Sequence, residues 1–195
     1  MGKSPNVTWQ ASRLSREQRW QALGHPGATV WLTGLPASGK STLGALVEER
    51  LVQAGRVAYL LDGDNLRHGI CGDLGFTMED RERNVSRVGE LAQLFADAGA
   101  IVIVALISPF AQAREEVRRR HQGAGLRFIE VYVDTPLAVC IARDPKGLYA
   151  RAQAGGLPDF TGIGQPYEPP HRPEVHVSHG MAPLDAVDAV LSQLS

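Results

Sequence analysis

Cysteine is scarce in this chain: Cys71 and Cys140 are too few and too far apart to frame a disulfide scaffold or a zinc knuckle. They read as reduced, packed thiols. Long apolar runs are missing as well. The longest, residues 100–107, falls well short of the ~20 residues needed to span a bilayer. Residues 1–6 carry neither an apolar signal region nor a myristoylation pattern, so a cytoplasmic protein with no membrane partner is expected. Excess charge of either sign is absent too. The 20 Lys and Arg residues nearly balance 21 Asp and Glu, for a formal net charge of −1, so no global basic field exists to hold a nucleic acid. An anionic ligand has to be held by a local site.

What is present is an ordinary globular mixture, 44% apolar and 21% charged, in 195 residues that suit one core. Residues 1–26 are polar, contain Trp9 and Trp20, and read as an N-terminal arm with one short helix ending near Gly24-His25-Pro26. Beyond them, residues 27–195 alternate between two patterns. Strands are expected at 29–33, 57–61, 101–107, 128–133 and 174–177. Helices are expected behind residue 40 (Leu43, Leu46, Val47, Leu51), over the Val85–Val88–Ala92–Phe95 stripe, at 113–121, from 137 to 143, and at 184–194. The run IVIVALI lacks polar alternation, as in a strand covered on both faces. Strand and helix in alternation predict an α/β three-layer sandwich around a mostly parallel sheet. Residues 144–172, rich in Gly and Pro, break the pattern and read as a lid or a disordered segment.

Gly34-Leu35-Pro36-Ala37-Ser38-Gly39-Lys40-Ser41 matches G-x-x-x-x-G-K-[ST] in full, and Thr42 follows. Gly34 and Gly39 let the backbone wrap phosphate oxygens with successive N–H groups turned inward. Lys40 supplies a point charge for the β- and γ-phosphates, and the Ser41 hydroxyl is a ligand for Mg²⁺. The helix opening at Lys40 aims its positive end at the same place. A chance glycine turn would lack the strand before it and the helix behind it. This loop implies ATP or another nucleoside triphosphate, and the absence of N-K-x-D lowers the case for a GTPase.

Asp62 and Asp64 stand at the end of the second strand, the edge where open α/β sheets bind ligands. Two carboxylates there can organise Mg²⁺ or its waters and accept a proton from an attacking hydroxyl. An Asx turn around Gly63 explains the same residues structurally. Arg67, Arg81, Arg83 and Arg87 follow, with Phe76 among them. Guanidinium forks suit phosphate or sulfate, although Glu79, Glu82 and Glu90 could pair with them on a solvated face. Chemistry alone yields a P-loop phosphotransferase with an anionic acceptor. It leaves open a kinase of some other small molecule, or a nucleotide-binding regulator that keeps only the loop.

Several segments, in order, resemble the adenylylsulfate kinase family: GLPASGKST (34–42), LDGDNLRHG (61–69), GFTMEDRERNVSRVGE (75–90), ISPF (107–110), RDPKGLY (143–149) and FTGIGQPYE (160–168). The NVTWQ segment and residues 16–34 are similar to the family's leader. The resemblance implies a P-loop kinase that phosphorylates the 3′-hydroxyl of adenosine 5′-phosphosulfate (APS) with MgATP. A homodimer is implied, as is an upstream enzyme that supplies APS. Gly34 to Thr42 would hold ATP, and Arg143 would lie near its base. Asp62 would be the base or metal organiser, while Asp64, Arg67, Arg81 and Asn84 would grip phosphosulfate and ribose. Phe76 and Phe160 would sandwich the adenine, Lys146 would reach in from the lid, and Ile107 and Ser108 would line the acceptor pocket. Lys40 and Ser108 join Asp62 as catalytic candidates. For Ser108 a pocket-lining role is favoured over a phosphoserine intermediate, since in-line transfer needs none and no base adjoins it in sequence. Against the family's common pattern, Pro36-Ala37 stands for Ser-Gly, and Arg83, Gly156 and Gly164 stand for acidic residues. The last two bear on lid closure. His171, His176 and His179 lack the spacing of a metal site.

Overall fold

A computed structural model describes residues 7, 8 and 10–195; the readings made on residues 1–6 and on Trp9 lie outside them. Five strands, β1 (Ala28–Thr33), β2 (Ala58–Asp62), β3 (Ile101–Ala105), β4 (Arg127–Asp134) and β5 (Val175–Ser178), form one sheet in the order β2-β3-β1-β4-β5. Every pairing is parallel, with Val30 opposite Ile103 on one side and Ile129 on the other. Parallel pairing needs crossovers, which are supplied by α2 (Lys40–Gln53), α3 (Gly63–Leu66) with α4 (Met78–Ala98), α5 (Ala111–Gly123), and α6 (Leu137–Arg143) with α7 (Leu148–Gln153); α1 (Arg16–Leu23) precedes β1 and α8 (Pro183–Ser192) follows β5.

The sheet buries both faces, which explains the unbroken apolar runs. Side chains alternate across β1, so Val30 and Leu32 meet Leu43, Val47 and Leu51 of α2 and Val187 and Val190 of α8. Trp31 points to the other face, among Val85, Val88 and Ala92 of α4 and Val117 of α5. Truncating the fully buried Trp31 to Ala would cost about 3–5 kcal/mol. The strand β2 lies at the sheet edge and is only half covered, with Tyr59 exposed and stacked on Phe95.

The N-terminal arm holds the expected short helix and is docked rather than free. Ser15 and Gln18 form a capping box at the start of α1, and Gly24 ends it in a left-handed turn. Arg16 Nε donates to Asp97 Oδ1 at 2.7 Å, Arg19 also pairs with Asp97, and Trp20 Nε1 donates to Ala96 O at 3.3 Å.

Expected elements and observed ones agree to within one or two residues, with three differences. The third strand ends at Ala105, because residues 106–110 turn away to carry pocket groups. Helices α3 and α7 went unread, since four and six residues hold too little periodicity to see. The segment 144–172 is not structureless. It contains α7, a bridge between Thr161 and Gln165, and Tyr149, Ala152 and Phe160, which form a small core with Cys140 of α6. A Cβ at Gly164 would stand 1.6 Å from Pro158 O, so this turn admits no side chain there. Arg83 forms an exposed pair with Glu79, its Nη2 2.6 Å from Oε1. Among the described residues no helix is long and apolar enough to cross a membrane.

One buried group ties stability to pH. His121 is fully enclosed; its Nδ1 donates to Val117 O at 2.9 Å and its Nε2 accepts from Thr29 Oγ1 at 3.0 Å, the pattern of a neutral ring. Burial holds its pKa below the ordinary 6.5. The unfolded chain therefore takes up a proton first, and the stability from a neutral His121 is present above about pH 6.5 and lost below it. Melting curves from pH 7 to pH 5 are expected to fall more steeply for the wild type than for His121→Gln. Parallel falls would remove His121 as the cause.

Candidate active site

The phosphate loop lies between the end of β1 and the start of α2. Gly34 passes so close to β4 that a Cβ would stand 2.5 Å from Val133 O, which accounts for glycine there. Ala37 takes a left-handed φ of 61° without being glycine, and the surroundings hold the loop in that shape. Tyr149 of α7 donates its hydroxyl to Pro36 O at 3.0 Å, and Thr135 Oγ1 donates to Ser38 O at 2.9 Å. The Lys40 ammonium folds over the loop and donates to Gly34 O (3.0 Å) and Leu35 O (2.7 Å). Burial lowers its pKa from 10.5 to about 8.

Asp62 ends β2 and caps α3, with Oδ1 accepting from Asp64 N at 3.0 Å. Its other oxygen accepts from Ser41 Oγ at 2.6 Å, so the carboxylate joins the two sides of the site. Asp64 is paired with Lys146 across the mouth of the cavity, and both side chains are exposed. Thus two carboxylates two residues apart have separate surroundings: one faces the phosphate loop, the other the lid.

On the acceptor side, Arg67 Nη1 donates to Leu74 O (2.9 Å) and Gly75 O (3.1 Å), and its guanidinium lies 4.2 Å from the centre of the Phe76 ring. Arg81 Nε donates to Phe76 O at 3.0 Å and Nη2 to Asp159 O at 2.8 Å, binding the Phe76 loop to the Phe160 segment. Neither guanidinium forms an ion pair among the described residues. Burial first, and then the Arg67 charge, hold the Arg81 pKa below its usual range. Two uncompensated cations side by side call for an anion. Asn84 is buried next to them, with its Oδ1 unpartnered. Phe76 is exposed, whereas Phe160 is enclosed and meets Tyr149 edge-on at 5.0 Å.

One cavity of about 1100 Å³ gathers these groups. Pro36, Ala37, Gly39, Lys40, Ser41 and Thr42 line its phosphate side. Asp62, Asp64, Arg67, Phe76, Arg81, Asn84, Ile107 and Ser108 line the acceptor side. Arg143, Lys146 and Phe160 come from the region of the lid. Gly34, Leu35 and Ser38 form the back of the loop instead of the wall. Arg143 Nη1 also donates to Ala37 O at 3.4 Å. Of the late histidines, His176 stacks on Tyr132 and lies 2.9 Å from Asp134 Oδ2.

Ser108 is 3% exposed and has a φ of 39°. Its Oγ accepts from Trp31 Nε1 (3.1 Å) and donates to Thr33 Oγ1 (3.1 Å), whose own proton goes to Ile107 O (2.8 Å). Among the described residues no histidine or carboxylate hydrogen-bonds the hydroxyl, so none of them is placed to activate it as a nucleophile. Sequence reasoning gave no role to Trp31, Thr33 and Tyr149, although they fall within segments similar to the family's, because they act from the core through single contacts.

The comparisons with known proteins agree with this geometry. A family model described as adenylylsulphate kinase matches residues 26–178. An adenylyl-sulfate kinase of Citrobacter koseri is 56% identical over 172 residues, covering 88% of this chain and 85% of its own length. One from Klebsiella pneumoniae is 52% identical over 189 residues, covering 97% and 93%. The structure of the Mycobacterium tuberculosis APS kinase CysC in complex with AMPPNP and APS superposes with a TM-score of 0.84 at 48% identity, over 87% of this chain and 98% of that one. A P-loop joined through one carboxylate to an arginine-rich acceptor pocket is thus matched by sequence likeness over nearly the whole length, and the chain belongs to the adenylylsulphate kinase family.

Proposed function

We propose that this protein is an adenylylsulfate kinase, transferring the γ-phosphate of ATP to the 3′-hydroxyl of APS to give 3′-phosphoadenosine 5′-phosphosulfate and ADP. The observation that carries the reading is the cavity that brings together the phosphate loop, Asp62 bonded to its Ser41, and Arg67 and Arg81, which form no ion pair among the described residues. Residues 27–195 act as one kinase domain, with 144–172 as its lid, in the cytoplasm.

In this reading Gly34 to Thr42 cradle the triphosphate with backbone N–H groups, and Lys40 exchanges its loop carbonyls for phosphate oxygens. Arg143, at the edge of the loop, covers the ATP base. Arg67 and Arg81 hold the phosphosulfate, and Asp64, Asn84 and Lys146 take the ribose and the transferring group. The adenine of APS lies between Phe76 and Phe160, whose flat apolar faces suit stacking. Asp62 accepts the proton of the 3′-hydroxyl as its oxygen bonds to the γ-phosphorus and the bond to the β-phosphate oxygen breaks. Ile107 and Ser108 shape the wall, and Ser108 forms no covalent intermediate. The Ser41 hydroxyl and the Asp62 carboxylate, hard oxygen donors 2.6 Å apart, fit Mg²⁺. When bound, that ion neutralises charge on the β- and γ-phosphates.

An assay with radiolabelled ATP is expected to show APS strongly preferred over shikimate, gluconate and nucleosides; equal use of any of these would overturn the assignment. Asp62→Ala is expected to lower turnover by about 10²–10⁴-fold while ADP still binds, whereas Lys40→Ala loses both. Wild-type turnover by Asp62→Ala would remove that carboxylate from the mechanism.

Lys40 also predicts a pH signature. Phosphate favours its charged form, so above a free pKa of about 8 binding must take up a proton. Affinity for ADP, whose phosphates are fully ionised there, is expected to fall by up to roughly tenfold per pH unit above pH 8, with little contribution from Lys40 titration at pH 7, where the ammonium is already charged. Calorimetry at pH 9 in buffers of different ionisation enthalpy should detect that uptake in the wild type and not in Lys40→Arg. The family resemblance also favours a homodimer, which light scattering checks by mass.

A further inference from the structure

Ile107, Ser108 and Pro109 line the cavity, and almost nothing within residues 107–111 holds that stretch. Ser108 occupies a left-handed φ of 39°, a conformation that a non-glycine residue keeps only where its surroundings impose it. The constraints come from outside. Thr33 Oγ1 donates to Ile107 O at 2.8 Å, and Glu168 N donates to Pro109 O at 2.9 Å. The Glu168 carboxylate accepts from Ala111 N at 2.7 Å, capping a helix whose own N-cap residue, Phe110, supplies no side-chain bond. Arg114 joins these contacts. It is 2% exposed and lies outside the cavity lining. Its Nη1 donates to Ser108 O at 2.6 Å, its Nη2 to Glu168 O at 2.7 Å, and its Nε to Glu130 Oε1 at 2.8 Å.

A planar guanidinium with fixed donor directions can satisfy two carbonyls and a carboxylate at once, and an ammonium cannot reproduce that fork. We propose that Arg114 is a positioning residue for the acceptor: through Ser108 O and Glu168 O it locks the strained pocket wall to the C-terminal part of the lid segment. The Glu130 contact, by contrast, serves stability, compensating a buried charge without touching the wall. Arg114 acts on the APS half of the site and leaves the phosphate loop alone, since none of its bonds reaches residues 34–42. This inference rests on the reading of APS as acceptor.

The test compares two variants of the full chain with the wild type in one assay. Arg114→Met is expected to raise the KM for APS about tenfold, with the KM for ATP and the Kd for ADP within about twofold of wild type. Glu130→Gln is expected to lower the melting temperature by roughly 5–10 °C while leaving the KM for APS within about twofold. If Arg114→Met does not fold, Arg114→Lys, which keeps the charge beside Glu130 but cannot span both carbonyls, is expected to raise the KM for APS about threefold or more. An unchanged KM for APS in the folded arginine variant would overturn the proposal. So would rises in both variants that merely track their loss of melting temperature. Absence of product from the wild type would instead overturn the assignment of APS, and the positioning role with it.

Discussion

The hydrogen bond from Ser41 Oγ to Asp62 Oδ2 is the point at which the two halves of the site meet. Its two residues come from different elements, Ser41 from the first turn of α2 and Asp62 from the last position of β2. They are neighbours only because β1, β3 and β2 run parallel and end at the same edge, with β3 between the other two. The same arrangement delivers Ile107 and Ser108 beside them as β3 runs out. Burial of both sheet faces fixes this register, since a one-residue slip of β1 would exchange Trp31 for Val30 and Leu32 against helices of the wrong shape. Catalytic geometry is in this sense a consequence of the packing of apolar side chains far from the phosphate.

The second constraint is that the lid is fastened at several points while its tip remains exposed. Tyr149 bonds the phosphate loop, Arg81 bonds the chain at Asp159, and Glu168 bonds the pocket wall. Between these anchors Lys146 reaches Asp64 from a solvated position. An exposed ion pair of this kind contributes little to stability and opens easily. The Tyr149 and Arg81 side chains are buried whereas Lys146 is exposed, so Lys146 can exchange partners without loss of the surrounding core.

Much of the site was legible in the sequence because its chemistry requires particular residue types in fixed order. Gly34 to Ser41 could be read from phosphate geometry, and Asp62 and Asp64 from their place at a strand end. The acceptor came only from the family segments, since Arg67, Arg81 and Asn84 on a helix face are equally consistent with solvated pairs. The fold was legible where both sheet faces are buried, and least so at α3 and α7, whose few residues carry no period. The Gly- and Pro-rich stretch gave no sign of its core, because Tyr149 and Phe160 stand eleven residues apart and pack through tertiary contact. Trp31, Thr33 and Arg114 were invisible for a related reason: their roles depend on which backbone carbonyl they meet.

Ser108 shows why such contacts decide function. A serine at the end of a strand beside a phosphate site reads equally well as a nucleophile or as wall. In the folded protein its proton is committed to Thr33, its lone pair to Trp31, and its carbonyl to Arg114. Making the oxygen a nucleophile would require breaking the bond to Thr33, in a place with no base to receive the proton. The left-handed backbone turns the residue inward and leaves its peptide edge on the pocket wall. Strain at that position therefore shapes the pocket wall, and in the proposed reaction the proton transfer is left to Asp62, the carboxylate bonded to Ser41 of the phosphate loop.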